Sequence, residues 1–156
     1  YLMAILNYKQ HAYTVPRGSS DDLERDKLKF RGYYPTGERL VFAAWLNPSI
    51  TLCNEDSYSN AEIFSHAFKT LGIGKVVGKP TNGSVISTGA KTLLDGSYVR
   101  LPMRGWFTKT TDKNQELGAA VPDIIIENSV DSKSKSVDEQ LKAAVDELLI
   151  QIDTKK

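Results

Sequence analysis

The stretch from Ile50 to Leu71 constrains this chain more than any other. Ile50-Thr51-Leu52-Cys53 is an apolar run that predicts a buried strand. A polar turn follows, Asn54-Glu55-Asp56-Ser57-Tyr58. Ala61, Phe64, Phe68 and Leu71 then recur at helical spacing, with Ile63 and Ala67 widening the apolar face. Ser59 therefore stands where a strand turns into a helix. Its side chain meets the positive end of the helix dipole and a row of unpaired backbone N–H groups. Such a place suits a nucleophilic serine, because backbone donors there can hold a developing oxyanion. A second reading stands beside it. Ser59-Asn60-Ala61-Glu62 is also a capping box, Ser at the N-cap and Glu at the third helical position, which needs no chemistry at all.

Further features are laid out in order along the chain. Ser57-Tyr58-Ser59-Asn60-Ala61-Glu62 has the form Ser-x-Ser-x-Ala-Glu. Gly78-Lys79-Pro80-Thr81-Asn82-Gly83 follows a short apolar run, Leu93-Leu94-Asp95-Gly96-Ser97 follows that, and Glu116 precedes Pro122-Asp123. These segments resemble the tail-specific and tricorn-type serine proteases, whose nucleophile is the second serine of a Ser-x-Ser-x-Ala/Ser-Glu core. The resemblance is good from about residue 36 onward and thin over residues 1–35. It implies an α/β fold with the ββα-rich core of that family, related to the Clp-protease and crotonase-like fold. It further implies that residues 1–156 are the C-terminal part of one protease-core domain, incomplete at its N-terminus, with a C-terminal helix over 137–152. The function it implies is peptide-bond hydrolysis through an acyl-enzyme on Ser59, of an endopeptidase or carboxy-terminal processing type.

A serine nucleophile needs a general base within hydrogen-bond reach. His66 lies seven residues beyond Ser59 on the same helix, about 10 Å along it at ~1.5 Å per residue, which suits helix packing better than catalysis. His11 lies in the poorly matched region. The tail-specific branch uses a lysine 25 residues after the nucleophile, where this chain has Ser84, and Lys75 and Lys79 are out of register. The tricorn-type branch uses a histidine oriented by a second serine and a glutamate. Glu116 fits that glutamate, though it also reads as a solvated loop carboxylate; the histidine and second serine lie upstream in the family. The oxyanion hole implied by the resemblance uses the N–H of Asn60 and a glycine N–H from an upstream segment. With the base supplied from outside this chain, the 156-residue chain alone is expected to be inactive.

The first residue is Tyr1, so a fragment or processed chain is expected, with the missing N-terminal part of the same polypeptide as its partner and a peptide or unfolded protein as substrate. A net charge of +1 gives no reason to expect nucleic acid or a lipid surface. No apolar run reaches the ~18 residues of a membrane span. The single Cys53 forms no internal disulfide and reads as a small buried hydrophobe. No metal-ligand spacing and no cofactor motif is present. The compartment, cell envelope or periplasm against cytoplasm, stays open, as does the oligomeric state.

The remaining elements follow from local signals. Tyr1–Tyr8 reads as the end of a helix, Pro16–Ser20 as a turn, and 21–30 as a charged exposed helix or loop. Tyr34–Gly37 is a turn signal and Leu40–Trp45 a compact apolar run. Gly72-Ile73-Gly74 marks a helix stop. Short strands are predicted at 75–77 and 85–87, and Asp95-Gly96 is the strongest two-residue hairpin signal. Trp106 and Phe107 suit a core or cleft wall, and Asp123–Glu127 a buried strand. Ser129–Ser136 reads as a linker, and Ser136-Val137-Asp138-Glu139 as a second capping box opening a helix with Leu141, Val145, Leu148 and Ile152 on one face.

Two rival readings remain. The interphotoreceptor retinoid-binding proteins resemble the same core and carry apolar ligands without cutting peptides, so a non-catalytic binding protein of this fold is one. A structural module in which Ser59 only caps its helix is the other.

Overall fold

The computed structural model of the protein describes residues 2–7, 9–33, 45 and 47–154. The turn expected at Tyr34–Gly37 and most of the apolar run Leu40–Trp45 lie outside the described residues. Two small sheets organise the rest. Strands β1 (Ala12–Pro16), β5 (Tyr98–Thr108) and β4 (Ile86–Thr92) form an antiparallel sheet in the order β1-β5-β4. Strands β2 (Thr51–Cys53), β3 (Val76–Gly78) and β6 (Ile124–Ile125) form a parallel sheet in the order β2-β3-β6.

Parallel strands cannot be joined by a tight turn and need a crossover. Helix α3 (Asn60–Thr70) is that crossover between β2 and β3. Its inner face buries Ala67 and Phe68 against Cys53 and Val76, with Leu6, Phe64 and Ile73 closing the cluster. Glu62 and Ser65 are buried as well, two polar residues outside the apolar stripe, and Glu62 faces residues 81–84 instead. The helix stops as expected: Gly72 takes φ +62, its N–H donates to Lys69 O at 3.0 Å, and Ile73 N–H donates to Phe68 O at 3.1 Å. Gly74 is fixed by contact, since a Cβ there would sit 1.8 Å from Ser49 O.

The antiparallel sheet has its own core. Tyr13 pairs with Phe107 across β1 and β5, the rings stack at 5.5 Å, and Val15 and Phe30 complete the cluster. Arg31 bonds Asp112 at 2.6 Å, and Tyr13 Oη donates to the same carboxylate at 3.1 Å. Beyond Arg104 the sheet narrows to two strands, and the β4–β5 arm projects with most of its residues exposed.

Several expectations are corrected here. Leu52, predicted buried, is 43% exposed on β2, an edge of its sheet among the described residues. The predicted buried strand 123–127 shrinks to Ile124–Ile125, an edge that leaves Ile125 exposed. At Asp95-Gly96 the hairpin closes through a longer loop: Gly96 N–H donates to Leu93 O and Leu93 N–H to Ser97 O, with Gly96 at φ +85. The Ser129–Ser136 linker contains a short helix, α4 (Ser132–Lys135). Helix α5 (Glu139–Asp153) is capped by Asp138, not Ser136; the Asp138 carboxylate accepts from Leu141 N–H at 2.9 Å. Ala144 is the buried residue of α5, while Leu141, Val145 and Ile152 are exposed. Cys53 is buried as expected, and burial pushes its thiol up to about 11. Phe107 is core, and Trp106 donates its indole N–H to Ser87 Oγ at 2.8 Å. The N-terminal helix is α1 (Leu2–Leu6), and the charged stretch forms α2 (Leu23–Asp26) followed by a 3-10 turn, Lys27–Phe30.

Candidate active site

Ser59 stands at the carboxyl end of β2 and the amino end of α3, the edge of a parallel sheet where α/β folds place their sites. Its backbone is unusual. Ser59 has φ 54 and ψ −110, the conformation of the first inner residue of a type II′ turn and one that glycine normally occupies. The two helices capped by a side chain provide an internal standard. Asp22 before α2 (φ −134, ψ 100) and Asp138 before α5 (φ −120, ψ 98) are extended and cap through their carboxylates. Ser136, which also has positive φ, is an ordinary left-handed residue at φ 53, ψ 37. Ser59 shares neither geometry. A helix cap alone does not require it.

Three stretches hold this turn. The first is the loop 54–58, where Asn54 N–H donates to Ser57 Oγ at 3.1 Å and Ser57 N–H to Asn54 O at 2.9 Å. The second is the turn 79–84. Lys79 N–H donates to Cys53 O at 2.9 Å and Asn82 N–H to Ser57 O at 3.1 Å, laying this turn along the first. The third is the segment 115–120. Leu117 N–H donates to Gly83 O at 2.7 Å, and Ala120 N–H donates to Thr81 Oγ1 at 2.8 Å. The Glu62 carboxylate lies fully buried among the first two, accepting from Ser59, Thr81, Gly83 and Ser84.

Asn60 is exposed, at the first position of α3, and among the described residues no acceptor engages its N–H. Glu116 is half-buried in the third stretch. Its N–H donates to Asn114 Oδ1 at 3.0 Å, while its Oε2 is shielded from solvent and has no partner among the described residues. The structure thus ties Glu116 to the turn that carries Ser59, through Leu117 and Gly83.

Among the described residues no hydrogen bond joins either histidine to Ser59. His66 packs from α3 onto the third stretch, its Nε2 2.9 Å from Gly118 O. Burial holds its pKa below the ordinary imidazole value, opposed by the Gly118 carbonyl. His11 is buried at the head of β1. The lysines are engaged elsewhere. Lys79 bonds Glu55 at 2.9 Å and lies 3.5 Å from Glu127, and the Glu55 contact raises its pKa, the wrong direction for a base. Lys75 bonds Glu147 at 2.8 Å. Ser84 uses its Oγ on Asn82 Oδ1 at 2.5 Å. Among the described residues no group of three or more His, Cys, Asp and Glu is placed to hold a metal ion. An apolar pocket of about 340 Å³ is lined by Leu2, Ile5, Leu6, Trp45, Phe64 and Phe68 among others.

The sequence offers Ser59, Asn60 and Glu116 as candidates and does not reveal Glu62 as a buried acceptor, with Ser59, Thr81, Gly83 and Ser84 as its donors. The one local signal was Glu62 as the third helical residue of the capping box, which does not announce its burial.

Comparison with known proteins bears on this arrangement. The sequence profile of peptidase family S41 matches residues 3–126, beginning ahead of the motif-bearing stretch and ending before α5. The chain is 30% identical over 110 residues to the tricorn protease of Thermoplasma volcanium, covering 70% of this chain and 11% of that protein. It is 32% identical over 101 residues to the tricorn protease of Thermoplasma acidophilum, covering 64% of this chain and 9% of that one. The chain thus spans about a tenth of the length of these curated relatives. A crystal structure of the tricorn protease superposes with a TM-score of 0.57 at 29% identity, over 67% of this chain and 10% of that one.

Proposed function

Because this chain belongs to peptidase family S41, we propose that it carries the nucleophile of a serine peptidase and that Ser59 is the attacking residue. The observation that carries this reading is the Ser59 backbone, φ 54 and ψ −110 at a strand-to-helix turn. Sparsely populated backbone conformations persist where function requires them. A strained strand-to-helix turn presents a serine hydroxyl outward and leaves the next N–H free to face the same reacting atom.

In this reading Ser59 Oγ attacks the carbonyl carbon of a peptide bond, and its proton passes to a base supplied from outside this chain. The carbonyl oxygen becomes an oxyanion held by the Asn60 N–H and a second donor from an upstream segment. The intermediate collapses to an acyl-Ser59 ester as the amine leaves with the proton from the base. Water, deprotonated by the same base, then releases the acid and restores Ser59. One oxyanion donor contributes on the order of 10²–10³ in rate. Glu116 belongs to the group that orients the base, and its unpartnered Oε2 is consistent with an acceptor whose donor comes from elsewhere. Residues 1–156 act as the C-terminal part of the catalytic core, and the chain by itself is inactive.

The test is peptide hydrolysis by the polypeptide that carries this chain together with its upstream segment. Hydrolysis abolished by Ser59→Ala supports the reading; hydrolysis unchanged by Ser59→Ala contradicts it. The apolar cavity beside Phe64 and Phe68 favours one alternative, a non-catalytic protein that binds an apolar ligand. Saturable binding of a fluorescent fatty acid by a protein without hydrolysis would favour that alternative.

A further inference from the structure

Glu62 is 0% exposed, and a buried carboxylate is tolerable only when its oxygens are met by donors. Here four donors meet it. Oε1 accepts from Ser59 N–H at 3.1 Å and from Ser84 N–H at 2.9 Å. Oε2 accepts from Thr81 Oγ1 at 2.7 Å and from Gly83 N–H. One oxygen is thus shared by the Ser59 turn and the 81–84 turn, and the other fastens the carboxylate to the 81–84 turn alone. A capping box needs only the Ser59 bond. The three further donors, 19 to 22 residues away in sequence, have no part in starting a helix. They anchor the carboxylate against a second turn, which is itself pinned to the Glu116 segment through Thr81–Ala120 and Gly83–Leu117.

We propose that Glu62 is a positioning residue: it holds Ser59 in its strained backbone conformation and fixes the Ser59–Asn60 turn relative to the segment that carries Glu116. This inference rests on the reading of Ser59 as the nucleophile. Strain at one residue persists only where neighbours over-determine it. The Ser59 N–H is the only group of that turn tied to the buried carboxylate, so the tie acts at the strained residue itself. A displacement of about 1 Å in a reacting group lowers rate by about 100-fold.

Glu62→Gln tests this in the polypeptide with its upstream segment. A glutamine offers one acceptor oxygen and one NH2 group, so whichever way the amide turns its NH2 faces a backbone donor, Gly83 N–H on one side or the Ser59 and Ser84 N–H groups on the other. Val76→Ala, a truncation in the β3 core, serves as the control for lost stability. The readouts are the rate of fluorophosphonate reaction at Ser59, kcat and KM for a peptide, and the melting temperature. Below the melting temperature of both variants, Glu62→Gln is expected to react about 100-fold more slowly than Val76→Ala, with kcat lowered and KM little changed. Equal reaction rates in the two variants overturn the proposal, because a merely structural carboxylate affects only melting. If Glu62→Gln does not fold, Glu62→Asp carries the test. Its shorter arm keeps the charge but cannot span both turns, so slowing of about tenfold is expected, and the rate of Val76→Ala overturns the proposal. Folded wild-type protein that takes no label overturns the nucleophile reading and this inference with it. Wild-type labelling with unaltered Glu62 variants overturns this inference alone.

Discussion

Replacing Ser59 by glycine should stabilise the protein while removing its chemistry. At φ 54, ψ −110 a side chain crowds the backbone, and such conformations cost of order 1–3 kcal/mol for a residue other than glycine. Glycine adopts them freely, at a cost of about 0.5–1 kcal/mol from its looser unfolded chain. Loss of whatever the serine contributes to the helix end costs a few tenths more. The balance is a gain of about 1 kcal/mol, with roughly 0–2 as the range. An ordinary extended N-cap gives the opposite sign, because no strain is relieved there. Urea unfolding of the domain measures it. With m of about 1–3 kcal/mol/M, the midpoint should rise by about 0.3–1 M. A midpoint lowered by Ser59→Gly would show that Ser59 is an unstrained cap and would refute the reasoning.

Other perturbations follow from the same geometry. Lys79→Met should leave Ser59 reactivity within about threefold, because an ion-paired lysine with a raised pKa is no base; a 100-fold fall in fluorophosphonate labelling would assign it the base role. Glu116→Gln should lower kcat on the order of 10² with little change in melting, since its Oε2 has no bond among the described residues to lose; unaltered kcat would make it a loop carboxylate. Burial alone would raise the Asp123 carboxyl, but Lys69 at 2.9 Å and the Val76 N–H at 2.9 Å outweigh it and hold its pKa below the usual range. Its stabilisation is therefore complete above the unfolded value of ~3.9 and is lost as pH falls through the lower folded value. The difference in melting between wild type and Asp123→Asn should accordingly shrink below about pH 4.

The local frame of the site was legible because its signals are local. Alternating contacts within one helix turn, a Ser-x-x-Glu opening and a Gly-x-Gly stop place α3 between residues 59 and 72 without tertiary help. What stayed hidden depends on partners far away in sequence. Leu52 and Ile125 read as core because apolar strands usually pair on both sides, yet β2 and β6 are edges in the described structure. The pairing of β1 with β5 joins Tyr13 to Phe107 across the chain and leaves no mark in either segment alone. Ser136 and Asp138 compete for one cap, and the Asp138 carboxylate wins by reaching the Leu141 N–H. Glu62 reads as half of a capping box, and only the folded 81–84 turn reveals its other three bonds. A serine's φ is likewise set by its surroundings and leaves no trace in the spacing of its neighbours.

The most direct measurement is mass-spectrometric mapping of a fluorophosphonate adduct on the polypeptide that carries this chain and its upstream segment. The account predicts a single adduct on the peptide containing Ser59, absent in Ser59→Ala. A folded, hydrolytically active protein whose adduct lies on another serine would contradict it.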